Sequence, residues 1–387
     1  MTTTPTPPPP MPDKTTTDDG NVPSPRGGST SVDPPGKTHR APARTRRGPV
    51  GTVVHLLQHY SLLALLLASL VFYGTWSETS AVFNQAANFQ NIAGSQSVLA
   101  VLTLGLLIPM VSGNLDLSIG STAGLSSIAA AGLYADAGAP LIVGILFGIG
   151  VGALVGLVNG LVVTRFNIDS FIVTLGTASL ILGIVNWYSE GNSIVQGIPQ
   201  SVISFGGGLT FGIPNLVFVL AAVAFGVWYL LEQTPYGRNL HAIGSNKAAS
   251  RLVGIRVERD TCLAFVLSGT FAGLAGVLLL ARSGAGNPQV GQTFTLTAIA
   301  AAFLGAASFK LGKFNVLGSL VAIFFLAVNI TGLQFAGVAN WISDVFTGLA
   351  LVLAVAFAGI MSRPRKAAKP KPAAAAEAEA PDAVPRR

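Results

Sequence analysis

The sequence predicts an all-α polytopic membrane protein, with about ten transmembrane helices and both termini cytoplasmic. Three observations carry this prediction. Only 10% of the 387 residues are charged, against about 25% in ordinary soluble domains. Apolar stretches of roughly 18–20 residues recur along the chain, the length needed to cross a hydrocarbon core of about 30 Å. Lys and Arg fall almost wholly on one side of those stretches, as cytoplasmic loops require.

Residues 1–50 contain twelve of the 23 prolines, mixed with Thr, Ser and Gly, and end in the cluster Arg44, Arg46 and Arg47. Such a composition cannot bury enough apolar surface to offset the entropy of ordering, so this segment reads as a disordered cytoplasmic tail. Residues 361–387, rich in Ala, Pro and Lys, read as a second one. The formal charge of +7 lies entirely in these tails. Residues 1–50 hold seven basic and four acidic side chains, 361–387 hold seven and three, and 51–360 hold nine of each. A neutral core argues against a nucleic-acid partner, and the basic tail ends are suited to membrane lipid at about 1 kcal/mol per Lys or Arg near the surface.

Between the tails, ten spans are expected at 57–76, 92–111, 117–134, 140–163, 170–188, 214–231, 262–281, 294–307, 314–331 and 341–360. With the N-terminus inside, the inner loops carry Arg165, then Arg238, Lys247, Arg251, Arg256 and Arg259, then Lys310 and Lys313. Together with the tails this places 22 of 23 basic residues inside and only Arg282 outside. A miscount of one span in the middle would scatter them. Ten spans divide into two halves of five, and an odd number per half gives the halves opposite orientations, an inverted repeat. The shortest spans, 117–134 and 294–307, stand third in their halves, and short or broken segments in matching positions point to a permeation pathway.

Catalytic constellations are scarce in the sequence. Of His39, His55, His59 and His241 none lies mid-membrane, His55 and His59 standing at the foot of the first span, and no His, Cys or carboxylate set has metal spacing. The single cysteine, Cys262, reads as a small buried hydrophobe. Gly312-Lys313 resembles the end of a phosphate loop, but Ala307 and Phe314 stand where that loop needs Gly and Ser or Thr. Gly144, Gly148, Gly152, Gly156 and Gly160 recur every four residues, and Gly269 and Gly273 repeat the spacing, which predicts smooth helix faces for close packing. Asp344 is the one charged residue inside a span, in its first turn. Asp116 stands at the start of the third span, either as an N-cap for that helix or as a polar lining near an inner gate. So few ionisable groups suit an uncharged solute moved by an external energy source better than ion-coupled transport.

The long inner loop, 232–261, is the core's basic region. Ser245-Asn246 can cap a short helix from Lys247 to Val253, ended by Gly254. A capped amphipathic helix held off the membrane is suited to a groove on a cytoplasmic partner.

Here the sequence resembles a known family. Gly237 to Ile255, with Arg238, Gly244, Ser245, Asn246, Lys247, Ala248, Arg251 and Gly254, is similar to the coupling loop of ABC importer permeases of the ribose/branched-chain amino acid family. Gly113-Asn114-Leu115-Asp116-Leu117-Ser118-Ile119-Gly120-Ser121 resembles the monosaccharide branch, and Gly156 to Gly160 and Phe171 to Thr177 are further family-like stretches. The resemblance spans about 55–360. It implies a bacterial plasma-membrane permease subunit that is not an enzyme and binds no cofactor itself. ATP and Mg would sit on cytoplasmic ATPase subunits, docked at Gly237 to Gly254. The resemblance further implies a second permease copy, identical or not, and an external sugar-binding protein received at 77–91, 189–213 and 282–293. Asn114, Asp116, Ser118, Ser121, Thr174 and Thr177 would lie near the pathway. Two places depart from the family pattern: Asp169-Ser170 replaces a Pro-Pro pair, and Thr295 and Thr297 replace an acidic residue, with Gly305-Ala306 after them where the family has Gly-Gly. The rival readings are an ion-coupled secondary transporter, a permease of the same family for a non-sugar solute, and a non-transporting scaffold.

Overall fold

A computed structural model describes residues 49–361; the two tail assignments otherwise lie outside the described residues. In chain order the elements are α1 (Pro49–Thr75), α2 (Ser80–Phe83), α3 (Ala86–Val111), α4 (Ile119–Ala137), α5 (Leu141–Arg165), α6 (Ser170–Ser189) and α7 (Gln200–Gly207). A two-strand hairpin follows, β1 (Leu209–Thr210) and β2 (Ile213–Pro214), and then α8 (Asn215–Gln233), α9 (Pro235–Ser245) and α10 (Lys247–Leu252). The chain continues through α11 (Val257–Ser283), α12 (Val290–Ala306), α13 (Val316–Phe335) and α14 (Trp341–Met361). A helix therefore occupies each of the ten expected span positions. Six of these, α3, α5, α6, α8, α11 and α13, are long and apolar enough to cross a membrane, and α1, α12 and α14 contain shorter apolar stretches. The sequence is all-α and polytopic in architecture, as composition required.

The helices sort into a buried centre and an apolar exterior. α3 and α11 are mostly buried, whereas less than a third of the apolar stretches of α5, α6 and α8 is buried. On α5, Ile142, Leu146 and Leu154 are more than half exposed, while Gly144, Gly148, Gly152 and Gly156 are buried. A continuous exposed stripe of this kind is untenable in water and suits hydrocarbon. The opposite, glycine face is what the four-residue spacing predicted. It meets α11, whose own Gly269 and Gly273 face Gly152: a Cβ at Gly152 or Gly156 would overlap the α11 backbone, and one at Gly269 would overlap the carbonyl of Gly152. Backbone approaches this close let dispersion act between main chains, the principal attraction available to helices in lipid.

Two interruptions also meet inside the fold. The irregular segment 112–118 leads into α4, and 284–289 leads into α12, with Ile194 and Gly286 exchanging both backbone hydrogen bonds at 2.9 Å. The first turns of α4 and α12 touch at Gly120 and Gly291, where a Cβ on either would overlap the other's carbonyl. The two shortest spans of the sequence reading are therefore neighbours in space.

Candidate functional site: the cytoplasmic helices and the network beneath them

The 232–261 segment is more ordered than the sequence suggested. Before α10 stands α9, whose N-cap Thr234 accepts a hydrogen bond from the Gly237 N–H (3.1 Å), with Pro235 in its first turn. Asn246 then caps α10, its Oδ1 accepting from the Ala249 N–H (2.9 Å). α10 ends one residue earlier than expected, at Leu252, and Gly254 makes the turn with φ +84. That left-handed conformation is the reason for glycine there.

Side-chain ties fix this unit to the spans. The Tyr236 hydroxyl donates to the Asp260 carbonyl (3.0 Å) and Asn239 Nδ2 donates to Asp260 Oδ2 (3.0 Å), binding α9 to the first turn of α11. Burial, with the Asp260 and Cys262 charges adding to it, pushes the Tyr236 phenol above its usual range and keeps it a donor. Arg251 pairs with Glu258 across the α10–α11 turn. Gly244, in the last turn of α9, lies against the end of α3, and a Cβ there would overlap the Val111 carbonyl. Leu252 and Val253 project at 88% and 76% exposure from the tip. The sequence reading named the surrounding residues and missed this apolar tip. Lys247 and Ala248 are exposed beside it, as is Ser245 at the end of α9. Arg238 and His241 line a groove of about 290 Å³ with Glu232, Lys310 and Lys313. Lys310 pairs with Glu232 at 2.6 Å. Burial lowers the His241 pKa, Lys313 and Lys310 lower it further, and Glu232 opposes them.

Four of the six residues assigned to the pathway, Asp116, Ser118, Thr174 and Thr177, come together in a buried network at the turn that follows α3. Thr177 Oγ1 donates to Asn159 Oδ1 (2.7 Å), Asn159 Nδ2 to Ser118 Oγ (2.8 Å), and Ser118 Oγ to Asp116 Oδ1 (2.6 Å). The Asp116 carboxylate also accepts from the Ser118 N–H (3.0 Å) and from Ser268 Oγ of α11 (3.0 Å). The Leu117 N–H donates to Thr174 Oγ1 (3.0 Å), and Leu115 N–H to Ser170 Oγ (3.1 Å). Asp116 is 2% exposed, and Ser118 and Asn159 are fully buried. Asp116 is not the N-cap of α4: Ser118 occupies that position, and the carboxylate closes the turn before it. The chain of donors converges on one acceptor, so four elements (α4, α5, α6 and α11) share one polar junction, and such junctions strengthen cooperatively. Asn114 is partly exposed at the edge of this turn, with Nδ2 donating to Ser112 Oγ (2.9 Å). Ser121 is buried next to Gly291.

A larger cavity, of about 660 Å³, opens elsewhere, between α3, α12, α13 and α14. It includes Thr297 and Asp344, which the sequence singled out, and Gln96, Thr331 and Thr347, which it did not. Among the described residues, no group of three or more His, Cys, Asp or Glu side chains could hold a metal ion.

The family described as branched-chain amino acid transport system / permease component matches residues 88–355. The chain belongs to that family. It is a permease subunit, a transport component and not an enzyme, and a multi-pass protein of the bacterial plasma membrane. Relatives include the ribose import permease protein RbsC of Escherichia coli strain K12, 31% identical over 310 residues, covering 79% of this chain and 94% of that one. The galactose/methyl galactoside import permease protein MglC of the same strain is 31% identical over 315 residues, covering 77% and 92%. The autoinducer 2 import system permease protein LsrC of Enterobacter sp. strain 638 is 34% identical over 291 residues, covering 75% and 84%. No solved structure matches the chain.

Proposed function

We propose that this chain is the membrane-spanning subunit of an ATP-driven ABC importer and forms the route for a monosaccharide delivered by an external solute-binding protein. The observation that carries the reading is the capped α9–α10 unit, with an exposed apolar tip and a glycine seated on the end of α3. A loop needed only for solvation requires neither. In this reading α9–α10 docks on a cytoplasmic ATPase subunit, which holds ATP and Mg, and this chain binds no cofactor. α1, α3, α4, α5, α6, α8 and α11 to α14 are the ten spans, in two inverted halves of five, with both tails cytoplasmic; the loop charges support that count. The segments 77–91, 189–213 and 282–293 face the binding protein. A second permease copy, identical or homologous, completes the membrane unit, and Asn114, Asp116, Ser118, Ser121, Thr174 and Thr177 lie near the translocation pathway.

The test is uptake of labelled D-ribose and D-galactose into liposomes holding the permease, its ATPase and its binding protein. Uptake requires ATP and survives an uncoupler. Uptake that persists without the ATPase and collapses with the uncoupler would instead establish ion coupling. A non-sugar solute is favoured by one observation, the similarity to an autoinducer 2 permease, and is read by competition with that compound.

A further inference from the structure

The cavity between α3, α12, α13 and α14 has the size and lining of a ligand site. Its volume of about 660 Å³ lies inside the range of roughly 300–1,000 Å³ typical of small-molecule sites. Three leucines, Leu99, Leu326 and Leu351, line it on α3, α13 and α14, and in sequence they are the lining residues farthest inside those helices. Each lies about 14–20 Å along its helix from the end nearest the mouth, by the helical rise. Leu99 and Leu326 belong to the main apolar core, and Leu351 packs against it, so the cavity ends on a dry floor. Asp344 and Gln334 stand near the mouth.

The polar lining is incompletely paired. Among the described residues, Ser95, Gln96, Thr331, Asp344 and Thr347 make no side-chain hydrogen bond within the chain, and Thr347 is 8% exposed. These groups are left to take partners from outside the chain, either water or a ligand that displaces it. Hydroxyls and amides both donate and accept, and therefore match sugar hydroxyls. The lining contains no Lys, Arg or His, and its one charged group is a carboxylate. An anion entering would find no counter-charge and would meet Asp344.

We propose that this cavity is a binding chamber for an uncharged polyol, open away from the α9–α10 side, and that Asp344 at its mouth disfavours acidic and phosphorylated solutes. The chamber rests on the importer reading for its role in transport, but its chemistry is tested separately. Thr347→Cys and Gln96→Cys are each made in a Cys262→Ser background, so that a single thiol reports from the chamber wall, and purified permease is labelled without any ATPase. A neutral methanethiosulfonate labels both variants, D-ribose or D-galactose at millimolar concentration slows it, and an anionic reagent of similar size is several-fold slower. Adding Asp344→Asn narrows the difference between the two reagents. In the complete reconstituted importer, Thr347→Val and Gln96→Leu raise KM for the transported sugar about tenfold each, the worth of one hydrogen bond of about 1.4 kcal/mol. Thiols that resist every reagent, labelling indifferent to both sugars, or equal rates for neutral and anionic reagents would overturn the chamber. Loss of ATP dependence in wild-type uptake would overturn the importer reading and leave the labelling result standing.

Discussion

Replacing Asp116 tests whether the junction of α4, α5, α6 and α11 is held by one carboxylate. Asp116 accepts from the Ser118 N–H, the Ser118 hydroxyl and the Ser268 hydroxyl. Leucine at this position keeps the branching at Cγ, is bulkier, and offers no acceptor. The two hydroxyls can rotate toward helix carbonyls, but the Ser118 hydroxyl must still receive Asn159, so the relay loses its terminus. Each buried polar group left unmade costs about 1–3 kcal/mol, which places Asp116→Leu at about 3–5 kcal/mol. Asparagine keeps one acceptor oxygen, and its amide can donate to Ser268 if that hydroxyl turns, so Asp116→Asn costs about 1 kcal/mol. Ser268→Ala removes a single donor, also at about 1 kcal/mol. Thermal unfolding of the detergent-solubilised permease should rank wild type, Asn and Leu in that order, with Ser268→Ala close to Asn. Because the two side chains touch, Asp116→Leu with Ser268→Ala should cost less than the sum of the singles by about 0.5–3 kcal/mol. Equal melting of the Asn and Leu variants, or strict additivity in the double, would refute the assignment of Asp116 as the shared acceptor.

Three further outcomes are expected. Gly156→Ala drives a Cβ into the Phe265 carbonyl and costs about 1–3 kcal/mol by overpacking; Gly150→Ala on the same helix meets nothing within 4 Å and gains up to about 1 kcal/mol of helix propensity, so the two should shift the melting temperature in opposite directions. Leu252→Asp lies on an exposed tip; it leaves melting unchanged and abolishes co-purification with the ATPase subunit. His241 has its pKa lowered from 6.5 by burial and by Lys313 and Lys310, so the unfolded chain takes up the proton first as pH falls. Stability is then full above about pH 6.5 and declines as pH drops toward the folded pKa. His241→Gln should flatten that decline in a series of melts from pH 7.5 to 5.

The parts of this fold that were readable in the sequence are those where a local pattern has only one physical outcome. Long apolar runs become helices because a helix satisfies its backbone hydrogen bonds in lipid within one continuous segment. The four-residue glycine spacing on α5 marks a packing face whatever its partner, although only the structure shows Gly269 and Gly273 as that partner. α10 was legible through Asn246 and Gly254, whose roles are local. α9 was legible only in part: Thr234-Pro235 is a helix-start pattern and Gly237, Leu240 and Ile243 recur on one buried face, but its ties to Asp260 and Val111 are contacts that no periodicity encodes. Asp116 looked like an N-cap because caps are the local use of aspartate, while its defining partner, Ser268, lies 152 residues away. The cavity was hidden for the same reason. Its polar residues come two or three at a time from four separate helices, and each alone reads as a tolerated polar group.

Gly244 and Asp116 together suggest how force at the cytoplasmic surface would reach the membrane centre. Motion of α9 cannot be absorbed at Gly244, because backbone already meets backbone there and packed main chains have no rotamers to yield. The displaced element is the end of α3 and the turn after it, residues 112–118. That turn is not free either: Leu115 and Leu117 hydrogen-bond to α6, and Asp116 to α11. A push on α9 must therefore move α3, α6 and α11 together or break the junction at Asp116. Directly beyond the junction, α4 meets α12 at Gly120 and Gly291, and α12 forms one wall of the polar cavity. From the exposed tip of α10 to that wall the route consists of close backbone contacts and buried hydrogen bonds. Such contacts switch between discrete arrangements and do not deform gradually, which is the property a nucleotide-driven gate requires.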